Sequence, residues 1–189
     1  MATPVGNPFA ARSVSEAELI ARLPKIWIGY ALAFAALIGE MLAVARYPVD
    51  AGKGIQFAVP PLELFLPTFL AAVYWLVCIH RFHVILANVP GWKHPVGPQR
   101  AVWFHLIPGF NLYWLFRWPY AIAVFVNTRL HGKTMSYWLA GAGFLLALAC
   151  RIFDPALGTA MLFLISSRIS LHLKQALQTG VPATASFER

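Results

Sequence analysis

Four stretches of the chain are apolar for long enough to read as membrane helices, and polar or Pro/Gly-rich segments separate them. Residues 26–45 form the first and carry a single charge, Glu40. Twenty residues of helix are about 30 Å long, the thickness of a bilayer's hydrocarbon core. Glu40 lies close enough to the end to pair with a basic group such as Arg46. A loop with Pro48, Gly52 and Gly54 follows, and Pro60-Pro61 marks a new helix start. The second span is residues 61–79, with Glu63 near its beginning and Pro67 a turn inside, where a kink is expected. Helical spacing continues through HRFHVILANV, so the helix should outrun the membrane, with His80, His83 and Ala87 on one face. Residues 134–150 are charge-free and make the third span. Gly141 and Gly143 there permit close approach of a neighbouring helix. Arg151-Ile-Phe-Asp154-Pro155 reads as a tight turn, with Asp154 as N-cap and Pro155 at the first helical position. The last span is then residues 155–173, in a hairpin with the third. Ahead of the first span, SVSEAEL predicts a short surface helix with Ser15 as N-cap and Glu18 three positions on, a capping-box pattern. Residues 1–13 should be unstructured and residues 175–189 a polar tail.

Residues 101–127, between spans two and three, break this regularity. They hold nine aromatic residues, and Pro108-Gly109, Asn111, Arg117 and Pro119 interrupt them. Two helix breakers and a charge argue against a plain lipid-facing helix. Trp and Tyr favour the headgroup level. The expectation is a broken, interfacial or re-entrant segment that enters and leaves on one side. The fold class is therefore an all-α integral membrane protein with four transmembrane helices and this aromatic segment between spans two and three.

Composition agrees. The 189 residues are 59% hydrophobic and only 12% charged, with a mean hydropathy of +0.64. Soluble domains carry about 25% charge. The net charge of +8 would suggest nucleic acid in a soluble protein. Here basic residues setting topology and meeting anionic lipid is the simpler explanation, with no nucleic acid as partner. No short apolar core lies near Met1, so a cleavable signal is not expected. Cys78 and Cys150 sit in apolar runs outside any CxxC pair, as buried free thiols do.

Charge also decides the number of spans. With four, one side holds Arg12, Arg22, Lys25, Arg81, Lys93, Arg100, Arg117, Arg129, Lys133, Arg168, Lys174 and Arg189. The other holds Arg46, Lys53 and Arg151. That bias is what the positive-inside rule expects. Five spans would split the cations evenly and leave Arg117 in the membrane. Both termini are then cytoplasmic, in a bacterial inner membrane. All six histidines fall on or near that side.

Three groupings carry candidate chemistry. His80 and His83, with His105 from the aromatic segment or His172 from the last span, would supply imidazoles for haem b, a chlorophyll-type pigment or a quinone. Arg168 and His172, at i and i+4, share a helix face. An arginine inside a span needs an anion, a carbonyl or a headgroup. Arg117, between Phe116 and Trp118, would cradle a lipid headgroup by cation–π contact. There is no HExxH, GxSxG, phosphate loop or carboxylate pair, so no catalytic residue is assigned and no metal site is expected.

The phrases YWLVCIHRFHVILANV and PVGPQRAVWFHLIPGFNLYWLFRWP resemble a family of bacterial multi-pass membrane proteins. Its central motif runs Arg-x-His, then His-x-Ile-Pro-x-x-Asn-x-Tyr-Trp-x-Phe-x-Trp-Pro. The matching positions are Arg81, His83, His105, Ile107, Pro108, Asn111, Tyr113, Trp114, Phe116, Trp118 and Pro119. In outline the chain is also similar to DUF4328-type membrane domains. Neither resemblance implies an activity. The expected function is a non-catalytic accessory or scaffold subunit of an inner-membrane complex, with energy-transducing complexes among the candidates, meeting anionic lipids and other membrane subunits and holding no cofactor. A cofactor-binding electron-transfer subunit is the alternative from another class, and a small transporter or channel the third.

Overall fold

The computed structural model describes residues 15–46 and 62–179. The expectations for the N-terminal arm, for the loop and Pro60-Pro61 helix start, and for the end of the tail lie outside these residues. Among the described residues the chain is all helical: α1 (Glu16–Ala21), α2 (Ile26–Arg46), α3 (Leu62–Ala87), α4 (Pro98–Trp103), a 3-10 turn (Phe104–Leu106), α5 (Phe110–Arg129), α6 (Tyr137–Phe153) and α7 (Pro155–Gln178). Three helical stretches, residues 16–46, α3 and α7, are long and apolar enough to cross a membrane. The apolar α6 is shorter, at 17 residues. The protein is thus a helical membrane protein.

Local chemistry explains the helix starts. The Ser15 hydroxyl accepts from the Glu18 N–H at 3.2 Å, capping α1 as expected. The reciprocal half of the box is not made, because Glu18 binds Arg22 instead. Asp154 caps α7 through the Leu157 N–H at 2.7 Å, and Ser136 caps α6. The α7 start has a second acceptor. Glu40 of α2 takes the Ala156 N–H at 2.7 Å, so its charge faces the positive end of a helix rather than Arg46. Arg46 pairs with Glu63 across the α2–α3 contact.

Packing follows from side-chain size. Every buried residue of α2 is small: Gly29, Ala33, Ala36, Gly39 and Ala43. This stripe lets α2 lie close against α3 and α7. Its large residues, among them Trp27, Phe34 and Met41, remain exposed. Gly158 similarly admits Arg151 and the α6 backbone in the α6–α7 hairpin. Gly141 receives the Phe116 ring of α5, and Gly143 faces Ile165 of α7.

The aromatic segment differs from expectation in one respect. Pro119 does not break it: α5 runs unbroken from Phe110 to Arg129 with that proline inside. The single break is at Pro108-Gly109, where Gly109 takes φ +77°, a left-handed conformation that suits glycine. From this elbow α5 runs antiparallel to α6, with Tyr120 against Tyr137 and Phe116 against Trp138. Six residues separate Phe110 from Phe116, about 9 Å of helix. The elbow therefore comes level with residues near Ala147, more than halfway along α6. Both flanks of the segment return to one end of the bundle, where Trp92, ahead of α4, meets Phe125, near the end of α5, at 5.2 Å. A buried ion pair closes that end. Arg129, almost wholly buried, reaches Glu16 of α1 at 3.1 Å.

Candidate functional site

The histidine-rich end of α3 gathers several buried ring nitrogens. α3 continues to Ala87, as its spacing predicts, and delivers His83 to a fully buried position. The loop after α3 folds back, and His94 brings its Nε2 to 2.7 Å from His83 Nδ1. Trp118 of α5 packs edge-on to His83, 6.1 Å between ring centres, and its other neighbours are Phe144 at 5.2 Å and His105 at 6.3 Å. Trp75 of α3 meets His105 at 5.1 Å. Five ring nitrogens here are buried without a hydrogen-bond partner among the described residues: Trp75 Nε1, His83 Nε2, His94 Nδ1, His105 Nε2 and Trp118 Nε1.

The hydrogen bonds constrain the tautomers. His105 Nδ1 lies 2.8 Å from the Ala101 carbonyl oxygen, which can only accept, so Nδ1–H donates. A neutral His105 then presents a bare lone pair at Nε2. In the His83–His94 pair one ring donates and the other accepts. With both neutral, one of the two outer nitrogens is N–H and the other a lone pair. Burial keeps His94 neutral, pushing its imidazole down to about 4. The cluster thus offers two indole N–H donors, one imidazole N–H and two imidazole lone pairs, with no carboxylate among the residues described here. It can hydrogen-bond a buried water or a small polar group. It lacks a paired acid and base.

Cofactor geometry is restrictive. Among the described residues no three His, Cys, Asp or Glu side chains converge as metal ligands. The Trp118 indole packs on both His83 and His105, so a macrocycle bridging those imidazoles would have to displace a fully buried side chain. A carbonyl oxygen matches the donor set, since an indole N–H can donate to it.

The remaining candidates separate. His80 sits one turn before His83, partly buried. His172 lies apart, with Arg168, on a cavity between α6 and α7. The cradle expected at Arg117 is not formed. Trp118 points into the core, and the Arg117 guanidinium lies over Tyr120 at 5.3 Å. His94, Trp75 and the Arg129–Glu16 pair were not singled out from sequence. His94 stands in a Pro/Gly-rich loop with no periodicity, and Glu16 is 113 residues from Arg129. Comparison with protein families, curated proteins and solved structures gives no match.

Proposed function

We propose that this is a non-catalytic multi-pass protein of a bacterial inner membrane, an accessory or scaffold subunit that docks through its aromatic elbow. Four helices, α2, α3, α6 and α7, would cross the bilayer, and residues 98–129 would dip into the cytoplasmic leaflet and return. The observation that carries this reading is the two-sidedness of the elbow. Its inner face, Phe104, Trp114 and Trp118, packs into the bundle. Its outer face, Trp103, Leu106, Ile107, Phe110 and Tyr113, is uncovered. An apolar patch of that kind marks a lipid or protein contact, and its depth along α6 favours contact within the bilayer. The cation bias of the sequence supports cytoplasmic termini.

Cysteines at Lys93 and Lys133, probed with a membrane-impermeant maleimide, test the topology. Labelling from the same face is expected, and opposite faces would overturn it. A photocrosslinker at Ile107 tests the docking role. One stoichiometric membrane partner is the expected product, and crosslinks to lipid alone would remove the scaffold assignment.

A second reading, a quinone- or pigment-binding electron-transfer subunit, draws on the five unpartnered nitrogens. A bound chromophore lost in His105→Ala would favour it, and a colourless preparation free of quinone would eliminate it.

A further inference from the structure

The cavity between α6 and α7 is separate from the histidine–tryptophan cluster and has a different character. Its volume is about 360 Å³. One end is lined by Thr134, Ser136, Arg168 and His172, and the other by apolar side chains including Leu139 and Leu164. Leu139 and Leu164 are exposed on the outer surface, so the apolar end opens sideways, where acyl chains would lie.

The polar end has unspent binding capacity. Arg168 makes no ion pair or hydrogen bond among the described residues, and unlike Arg117, whose guanidinium lies over Tyr120, it lines a cavity. His172 Nδ1 is buried and has no hydrogen-bond partner among the described residues. The α6 N-terminus begins here at Ser136, whose hydroxyl takes the Leu139 N–H, while the Tyr137 and Trp138 N–H groups have no intrahelical acceptor. Arg168 is thirteen residues past Pro155, about 20 Å along α7. With Pro155 at the opposite surface, its backbone lies about 10 Å inside the cytoplasmic edge of the hydrocarbon core, and the long side chain snorkels toward the headgroups on that side.

We infer that this cavity binds the phosphate of an anionic phospholipid, with Arg168 as the ion-pairing group, His172 as a second donor and Leu139 and Leu164 against an acyl chain. A guanidinium matches a phosphate through two parallel hydrogen bonds, which an ammonium cannot reproduce. A lipid phosphate and free phosphate share this chemistry, and the apolar end favours the lipid. The inference rests on the proposed bilayer placement of α6 and α7 but not on any partner subunit.

The test uses the purified full chain in neutral detergent, titrated with phosphatidylglycerol, phosphatidylcholine or inorganic phosphate, with retained lipid read by native mass spectrometry. Phosphatidylglycerol should be retained in preference to phosphatidylcholine. Arg168→Gln should weaken that retention about tenfold or more, and Arg168→Lys by less. Arg22→Gln, which removes a charge elsewhere, should leave it unchanged. Arg168 is exposed and unpaired, so its replacement should leave the fold intact, checked by an unaltered melting temperature. Equal retention of the two lipids, wild-type retention by Arg168→Gln, or full competition by millimolar inorganic phosphate would each overturn the assignment. A failed topology experiment with intact Arg168-dependent retention would sink the elbow reading and leave this site standing.

Discussion

Gly39→Ala adds one methyl group where α2 meets the α3 backbone. The new Cβ would lie 2.9 Å from the Glu63 carbonyl carbon and closer still to its oxygen, with Leu64 Cα at 3.3 Å. These are main-chain atoms of a helix and cannot rotate aside, so α2 has to move. Overpacking of this kind costs about 1–3 kcal/mol. Removing a mid-helix glycine returns up to about 1 kcal/mol of helix propensity. The expected net loss is about 1–2 kcal/mol, and the displacement also disturbs the Arg46–Glu63 pair across the same contact. Gly143→Ala is the internal control. Its nearest neighbour is the Ile165 Cδ1 at 2.9 Å, the end of a flexible side chain, so propensity should offset the contact and leave stability near wild type. Equilibrium unfolding in mixed anionic and neutral micelles measures both. Gly39→Ala should unfold at lower denaturing detergent than Gly143→Ala by a gap worth about 1–2 kcal/mol. Equal stability of the two variants would refute the claim that backbone contact at Gly39 sets the α2–α3 spacing.

Acid should destabilise the histidine end. His94 is held at about 4 when folded and returns to about 6.5 when unfolded, so the unfolded chain takes up its proton first. Stability is then flat above pH 6.5 and falls as pH drops from 6.5 towards 4, by up to about 1.4 kcal/mol per pH unit from this group. A melting-temperature series across that window checks it, and His94→Gln should flatten the slope. Glu16→Ala leaves the buried Arg129 without its carboxylate and should cost about 3 kcal/mol, whereas Arg129→Met removes the charge itself and should cost less. The same unfolding assay ranks them, and a larger loss in Arg129→Met would reverse the argument.

Much of the fold was legible because its signals are local. The Asp154-Pro155 helix start and the Ser15 cap are decided within a few residues. The single-charge run of α2 is long enough to read without knowing its neighbours. What escaped depends on contacts distant in sequence. Pro119 looks like a breaker because it lacks an N–H, but α5 is held on one side by α6 and on the other by the core, and packing outweighs one lost hydrogen bond. From sequence Glu40 reads as reaching the interface or a basic group such as Arg46, because no local pattern announces that a helix start 116 residues away will face it. The histidine cluster was half visible. His83 and His105 stood out as residues able to meet, but His94 completes the group from a loop whose path only the tertiary structure fixes.

The glycine and alanine face of α2 has a consequence for the entropy of assembly. The buried face of α2 offers only hydrogens and methyl groups, so that face has no rotamers to freeze when it docks. Trp27, Phe34 and Met41 keep their freedom on the outside, and side-chain ordering is confined to the edges of the joint, at Ile26, Leu32, Glu40 and Arg46.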